Sequence, residues 1–124
     1  MAKYANDIVM DAALDVIATA TRMDVCSAQP ANFAGIAAVA LADVTLDSSD
    51  FSKANGDTSG RKVTVGAQNG VLIDASGTAT HVALSRVSDS TLLLVTTCTS
   101  QALTANGSNT VNVPAFDDEI ADPV

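Results

Sequence analysis

A chain of 124 residues with 48% apolar and 16% charged side chains has the composition of one packed domain, which excludes both a disordered segment and a pair of domains. Six basic against fourteen acidic residues give a formal charge of −8, and this disfavours nucleic acid as a partner, because phosphate-backbone affinity rests on a basic footprint. No apolar run approaches the roughly 20 residues of a membrane span, and the amino terminus lacks the basic-then-apolar order of a secretory signal, so synthesis in the cytoplasm and no membrane contact are expected.

With no Trp, one Tyr and three Phe, the core must be built from aliphatic side chains, each of which buries less area than an aromatic ring. Such a core is thin, and partner subunits are expected to complete its burial, in a homo-oligomer or against another protein.

Along the chain, the first periodic segment places Val9, Ala12, Ala13, Val16, Ile17 and Ala20 at helical spacing behind Asn6, a good cap. An amphipathic helix over about residues 7–20 follows, packed through Val9, Val16 and Ile17. Asp7, Asp11 and Asp15 recur every four residues on the other face and read as a solvated stripe. After Thr21 the period changes, and residues 22–28 read as a strand closed by Pro30. Residues 31–40 are Ala-rich, with a short helical turn expected around Phe33 and Ile36.

Ala42, Val44 and Leu46 then alternate with Asp43, Thr45 and Asp47, the two-residue period of a half-buried strand. Residues 48–50 and 53–60, rich in Ser, Asn, Asp and Gly, read as a surface loop. Beyond it come short strands at 62–65, 71–73, 78–86, 91–99 and 110–113. Turn-forming residues separate them: Gln68-Asn69-Gly70, Ala75-Ser76-Gly77, Ser88-Asp89-Ser90 and Ala105-Asn106-Gly107. Links this short require antiparallel pairing. The expected fold is therefore mainly β: an antiparallel β-sandwich or small open barrel with one N-terminal α-helix, a single domain over residues 1–124 whose helical segment is 1–21. Residues 114–124 carry four acids among eleven positions and read as an extended acidic tail, anchored by Phe116 and Ile120 and dispensable for folding.

Chemistry is sparse. His81 is the only histidine, so no multi-histidine metal site can be built, and it reads as a packing residue on the strand face shared with Ala79 and Ala83. Cys26 and Cys98 lack the spacing of a zinc or redox motif; two buried free thiols, or one disulfide, are the readings open. The tail lacks the ligand order and glycine of a calcium loop. Gly60-Arg61-Lys62 precedes a strand, whereas a phosphate loop opens a helix. Arg61 and Lys62 read instead as basic spots, solvated or facing an acidic partner. No catalytic group, cofactor or metal is expected.

Three segments carry a resemblance: GDTSGRKVTV at 56–65, GTATHVAL at 77–84 and VPAFDDEIADP at 113–123, supported by residues 4–20 and by RMDVC at 22–26. Together they resemble small β-rich virion structural proteins of tailed bacteriophages and prophages, especially those that decorate or cement heads. The resemblance implies a non-enzymatic capsid decoration protein that binds the major capsid protein and stabilises the shell by bridging its subunits. A tail or head–tail connector component, or a host-surface binding module, is the alternative. It also implies residence in the phage particle after synthesis in the bacterial cytoplasm. Arg61, Lys62, Phe116 and Ile120 are the candidate interface residues, the apolar pair as anchors and the basic pair as rim contacts.

Overall fold

The computed structural model describes residues 3–124 and is mainly β, with one α-helix and antiparallel sheets throughout. The helix, α1 (Asp7–Ile17), starts where Asn6, in extended backbone, accepts a hydrogen bond from the Ile8 N–H at 2.9 Å. It stops three residues before the expected end. Thr19 and Ala20 donate to the carbonyls of Val16 and Ile17, and this tighter turn drops Ala20 into the core and lets the Thr21 N–H join the sheet through the Ser85 carbonyl.

Nine strands follow: β1 (Arg22–Cys26), β2 (Ala40–Thr45), β3 (Phe51–Asn55), β4 (Arg61–Val65), β5 (Gln68–Leu72), β6 (Gly77–Arg86), β7 (Thr91–Leu103), β8 (Thr110–Val113) and β9 (Phe116–Ile120). They form three sheets, ordered β2-β1-β6-β7, β3-β4-β9 and β5-β8. A bridge between Ala42 and Ile73 and two hydrogen bonds onto the Leu41 carbonyl tie the two-stranded sheet to β2. One apolar cluster draws on all three sheets, with Met23, Val25, Val82 and Leu84 from the large one meeting Val65, Val71, Val111 and Val113 from the others. No aromatic ring is fully buried among the described residues, so the core is aliphatic as its composition requires.

Several expectations need correction. Phe51–Asn55 is a strand, not loop: paired in register with β4, it shares the backbone bonds that its polar side chains conceal from a hydropathy pattern. Residues 114–124 are more than an extended tail anchored by Phe116 and Ile120, because Phe116–Ile120 pairs with β4 across five residues and completes the sheet. Gln68-Asn69-Gly70 lies within β5, where Gly70 at φ +68° marks a break in register with β8. Strand β7 runs on to Leu103, and β1 ends at Cys26. The Ala-rich segment does hold a short 3-10 turn, Ile36–Ala38.

The helix is also rotated from its expected orientation. Met10 and Leu14 are its buried side chains and Ile17 is half-buried, whereas Val9 and Val16 are exposed. The acidic stripe explains the rotation. Asp11 accepts two hydrogen bonds from the Arg61 guanidinium, and Asp15 meets Lys53 Nζ at 2.6 Å, so the carboxylates face the body and swing the apolar stripe outward.

Candidate interaction surfaces

All four candidate interface residues fall on two neighbouring strands. In the β4–β9 register Arg61 stands opposite Ile120, Lys62 opposite Glu119 and Val65 opposite Phe116. Alternation along a strand then sorts them by face. Arg61, Phe116 and Ile120 share the side of the fully buried Val63 and Val65, while Lys62 shares the opposite side with Asp117 and Glu119. Phe116 packs on the core cluster, and both apolar candidates are half-buried.

The basic pair is engaged within the chain. Arg61 Nε donates to Asp11 at 2.8 Å and its Nη1 to Asn55 at 2.7 Å. Lys62 Nζ lies 2.8 Å from Asp57 and 3.2 Å from Asp117. The hydrogen bond from Arg61 holds the Asp11 carboxyl below the usual range, and those from Thr64 and Lys62 do the same for Asp117. Arg22, Lys53 and Arg86 pair likewise with Asp24, Asp15 and Asp89. Five of the six basic side chains are thus paired within the chain, and the excess charge is acidic.

Residues 56–60 and the carboxyl-terminal segment, apart in sequence, are locked together. The Asp57 N–H donates to Glu119 Oε1 at 2.7 Å, and the Asp122 N–H to Ser59 Oγ at 3.2 Å. Gly60 sits at φ +73° with the Ile120 carbonyl so close that a Cβ would come within 1.9 Å of it. Only glycine permits that approach.

Two further surfaces are without partners among the described residues. One is the outer face of α1, where Ile8, Val9 and Val16 are 75%, 64% and 50% exposed. A shallow groove beside it is lined by Val9, Ala13, Ile120 and Pro123. The other is the outer edge of β7, which hydrogen-bonds to β6 alone. No charged side chain stands between Asp89 and Asp117, so this edge carries none. Both signals were present in the sequence: an apolar arc too wide for one docked face, and an uncharged run in an acidic chain.

The groups capable of chemistry are embedded in the scaffold. Cys26 and Cys98 are free thiols; Cys26 is buried, but Cys98 is exposed, against the expectation of two buried thiols, because it lies on the edge strand. Burial, with Asp24 nearby, pushes the Cys26 thiol up to about 11, so it is protonated and inert at neutral pH. His81 stands between Cys26 on β1 and Thr97 on β7, with Nδ1 bonded to Thr80 Oγ1 at 2.8 Å. It does not share a face with Ala79, because a bulge between them breaks the alternation and sends Ala79 to the core beside Val82 and Leu84. Asp24 is buried, salt-bridged to Arg22 at 2.9 Å, and its carboxyl is raised by desolvation against the pull of that bond. Arg22 in turn lies over the Phe33 ring at 5.4 Å.

Among the described residues no group of three or more His, Cys, Asp or Glu could hold a metal ion, and no helix is long and apolar enough to cross a membrane. Comparisons with protein-family models, curated proteins and solved structures returned no match.

Proposed function

We propose that this chain is a non-enzymatic structural protein of a tailed-phage particle, a decoration or cement subunit that stabilises the head by bridging major capsid subunits. The observation that carries the reading is the pair of unpartnered surfaces on so small a domain. A bridging protein needs at least two contacts, and these two differ in kind: α1 offers apolar side chains, whereas β7 offers backbone donors and acceptors along an uncharged edge. Phe116 and Ile120 contribute from below, by completing the sheet that supports α1, and Ile120 also lines the groove beside the helix. Arg61 fixes the pose of the helix through Asp11, so its part in the interface is positioning.

Mechanically, each copy seated on the shell would remove apolar area from water at about 25 cal/mol per Å², and summed over many junctions this resists expansion of the head. The test is the number of copies per particle, by quantitative mass spectrometry of purified virions from the phage or induced prophage that encodes the chain. Hundreds of copies support a shell subunit. A ring-like number of about a dozen assigns the protein to a tail or connector instead, and absence from particles overturns the virion reading.

A further inference from the structure

The helix α1 has more apolar surface than its own domain uses. At 3.6 residues per turn, Met10, Leu14 and Ile17 form the docked side, and Ile8, Ala12 and Val16 form an adjacent side that faces solvent, with Val9 and Ala13 between the two. The acids occupy the remaining arc, where Asp11 and Asp15 are neutralised by Arg61 and Lys53. A helix that is apolar over this much of its circumference belongs between two partners, and the chain supplies one.

The pattern of the open side identifies the other. Ile8, Ala12 and Val16 read large, small, large at equal four-residue steps, so the stripe has the same form when reversed. An antiparallel copy related by a two-fold axis at Ala12 sets Ile8 of each helix beside Val16 of the other and Ala12 against Ala12, where two small side chains permit close approach of the axes. Charge agrees. A net charge of −8 makes most of the surface repel a second copy, whereas the open side of α1 carries no charge and its flanking acids are already paired. Area sets the strength. Ile8, Val9, Ala12 and Val16 leave on the order of 400 Å² uncovered on one chain. Two such patches meeting would bury about 800 Å², a small interface whose pairing is weak and concentration-dependent.

We propose that the open face of α1 packs antiparallel against the same face of a second copy of this chain, across a two-fold axis at Ala12. On the virion reading, copies paired in this way use α1 for each other and present two β7 edges to the shell, whereas failure of the test leaves α1 open and that reading untouched. Sedimentation equilibrium on the full chain should show a dimer. Ile8→Glu and Val16→Glu, each at an exposed position, should leave circular dichroism and melting of the isolated fold intact while weakening association by roughly a hundredfold, as when a charge replaces a central apolar anchor. In a Cys98→Ser background, Ala12→Cys should form an intermolecular disulfide on mild oxidation, whereas Ser100→Cys on β7 should not. A monomer at high concentration overturns the proposal. So does a dimer indifferent to both glutamates, or one in which Ala12→Cys fails to cross-link, since the contact would then lie elsewhere or run in another direction.

Discussion

Strands β9 and β7 are both sheet edges, and they meet water in opposite ways. Strand β9 is five residues long and carries Asp117, Asp118 and Glu119; β7 is thirteen residues long and carries no charge. The short edge is guarded by carboxylates, the usual defence against unwanted pairing. The long one is shaped instead by its backbone. Its register with β6 breaks between Ala79 and His81 and again between Leu84 and Ser85, with the extra residues on β7 each time, so Leu94–Thr97 is the regular stretch between two bulges. Bulges limit endless stacking but do not make an edge water-loving. The difference teaches that this chain places carboxylates where water is to stay, and withholds them from β7 and from the outer face of α1.

The largest effect should come from removing the guarded edge. Deleting residues 114–124 strips β4 of a partner along its whole length and uncovers Val63 and Val65, both fully buried. A loss of about 3–5 kcal/mol, or no folding at all, is expected from the apolar area exposed. An unchanged melting temperature would show that β9 is a tail after all and would dissolve the comparison.

Next in size is the contrast between the two faces of α1. Leu14 is fully buried, and Leu14→Ala should cost about 2–5 kcal/mol. Val16→Ala, at a half-exposed position, should change the stability of the monomer by less than about 0.5 kcal/mol. Chemical denaturation of the two variants measures both, and equal losses would mean that the outer face is packed within the chain.

A smaller effect is expected at the open edge. Thr97→Lys with Thr99→Lys places charge at exposed positions of β7, and the fold should hold to within about 0.5 kcal/mol. If β7 is a contact in the particle, the same variant should lose occupancy on virions, as scored by mass spectrometry. Full occupancy would remove β7 from the interface.

How much of this was legible in the sequence depends on what each residue was asked to reveal. The aliphatic core, the antiparallel strands and the single helix followed from period, turn residues and the lack of aromatics. Strand β3 did not, because Ser52, Lys53 and Asn55 owe their strand to the backbone of β4 rather than to an apolar face. Strand β9 was hidden in the same way by its acids, which alternate between Asp117, outward and bonded to Lys62 and Thr64, and Asp118, half-buried opposite Val63. The helix misled most. Its apolar arc is wide enough for either orientation, and the choice was made by Arg61 and Lys53, some 40 to 50 residues away, which no local pattern contains. Of the candidate site residues, the sequence picked positions that do come together, but not the direction in which Phe116 and Ile120 point.

Asp24 sharpens the comparison by inverting it, because here a carboxylate stands where water has left. Desolvation raises its folded-state pKa above 3.8, outweighing the bond from Arg22, with Asp43 across the sheet adding repulsion. The folded chain therefore holds this proton more tightly than the unfolded chain does. The resulting contribution to stability is fully present below pH 3.8 and is lost as pH rises through the folded-state value. Asp11 and Asp117, lowered by their hydrogen bonds, work in the other direction and stabilise the fold above the ordinary carboxylate range. Asp24→Asn keeps an oxygen for Arg22 while removing the titration. Against the native chain, the variant should gain relative stability as pH rises from about 3.5 to 6, whatever its offset at the acid end. Melting curves at a series of pH values give that difference directly. A difference that is flat, or that falls with pH, would show that the salt bridge to Arg22 outweighs burial and that Asp24 is no exception to the pattern of the edges.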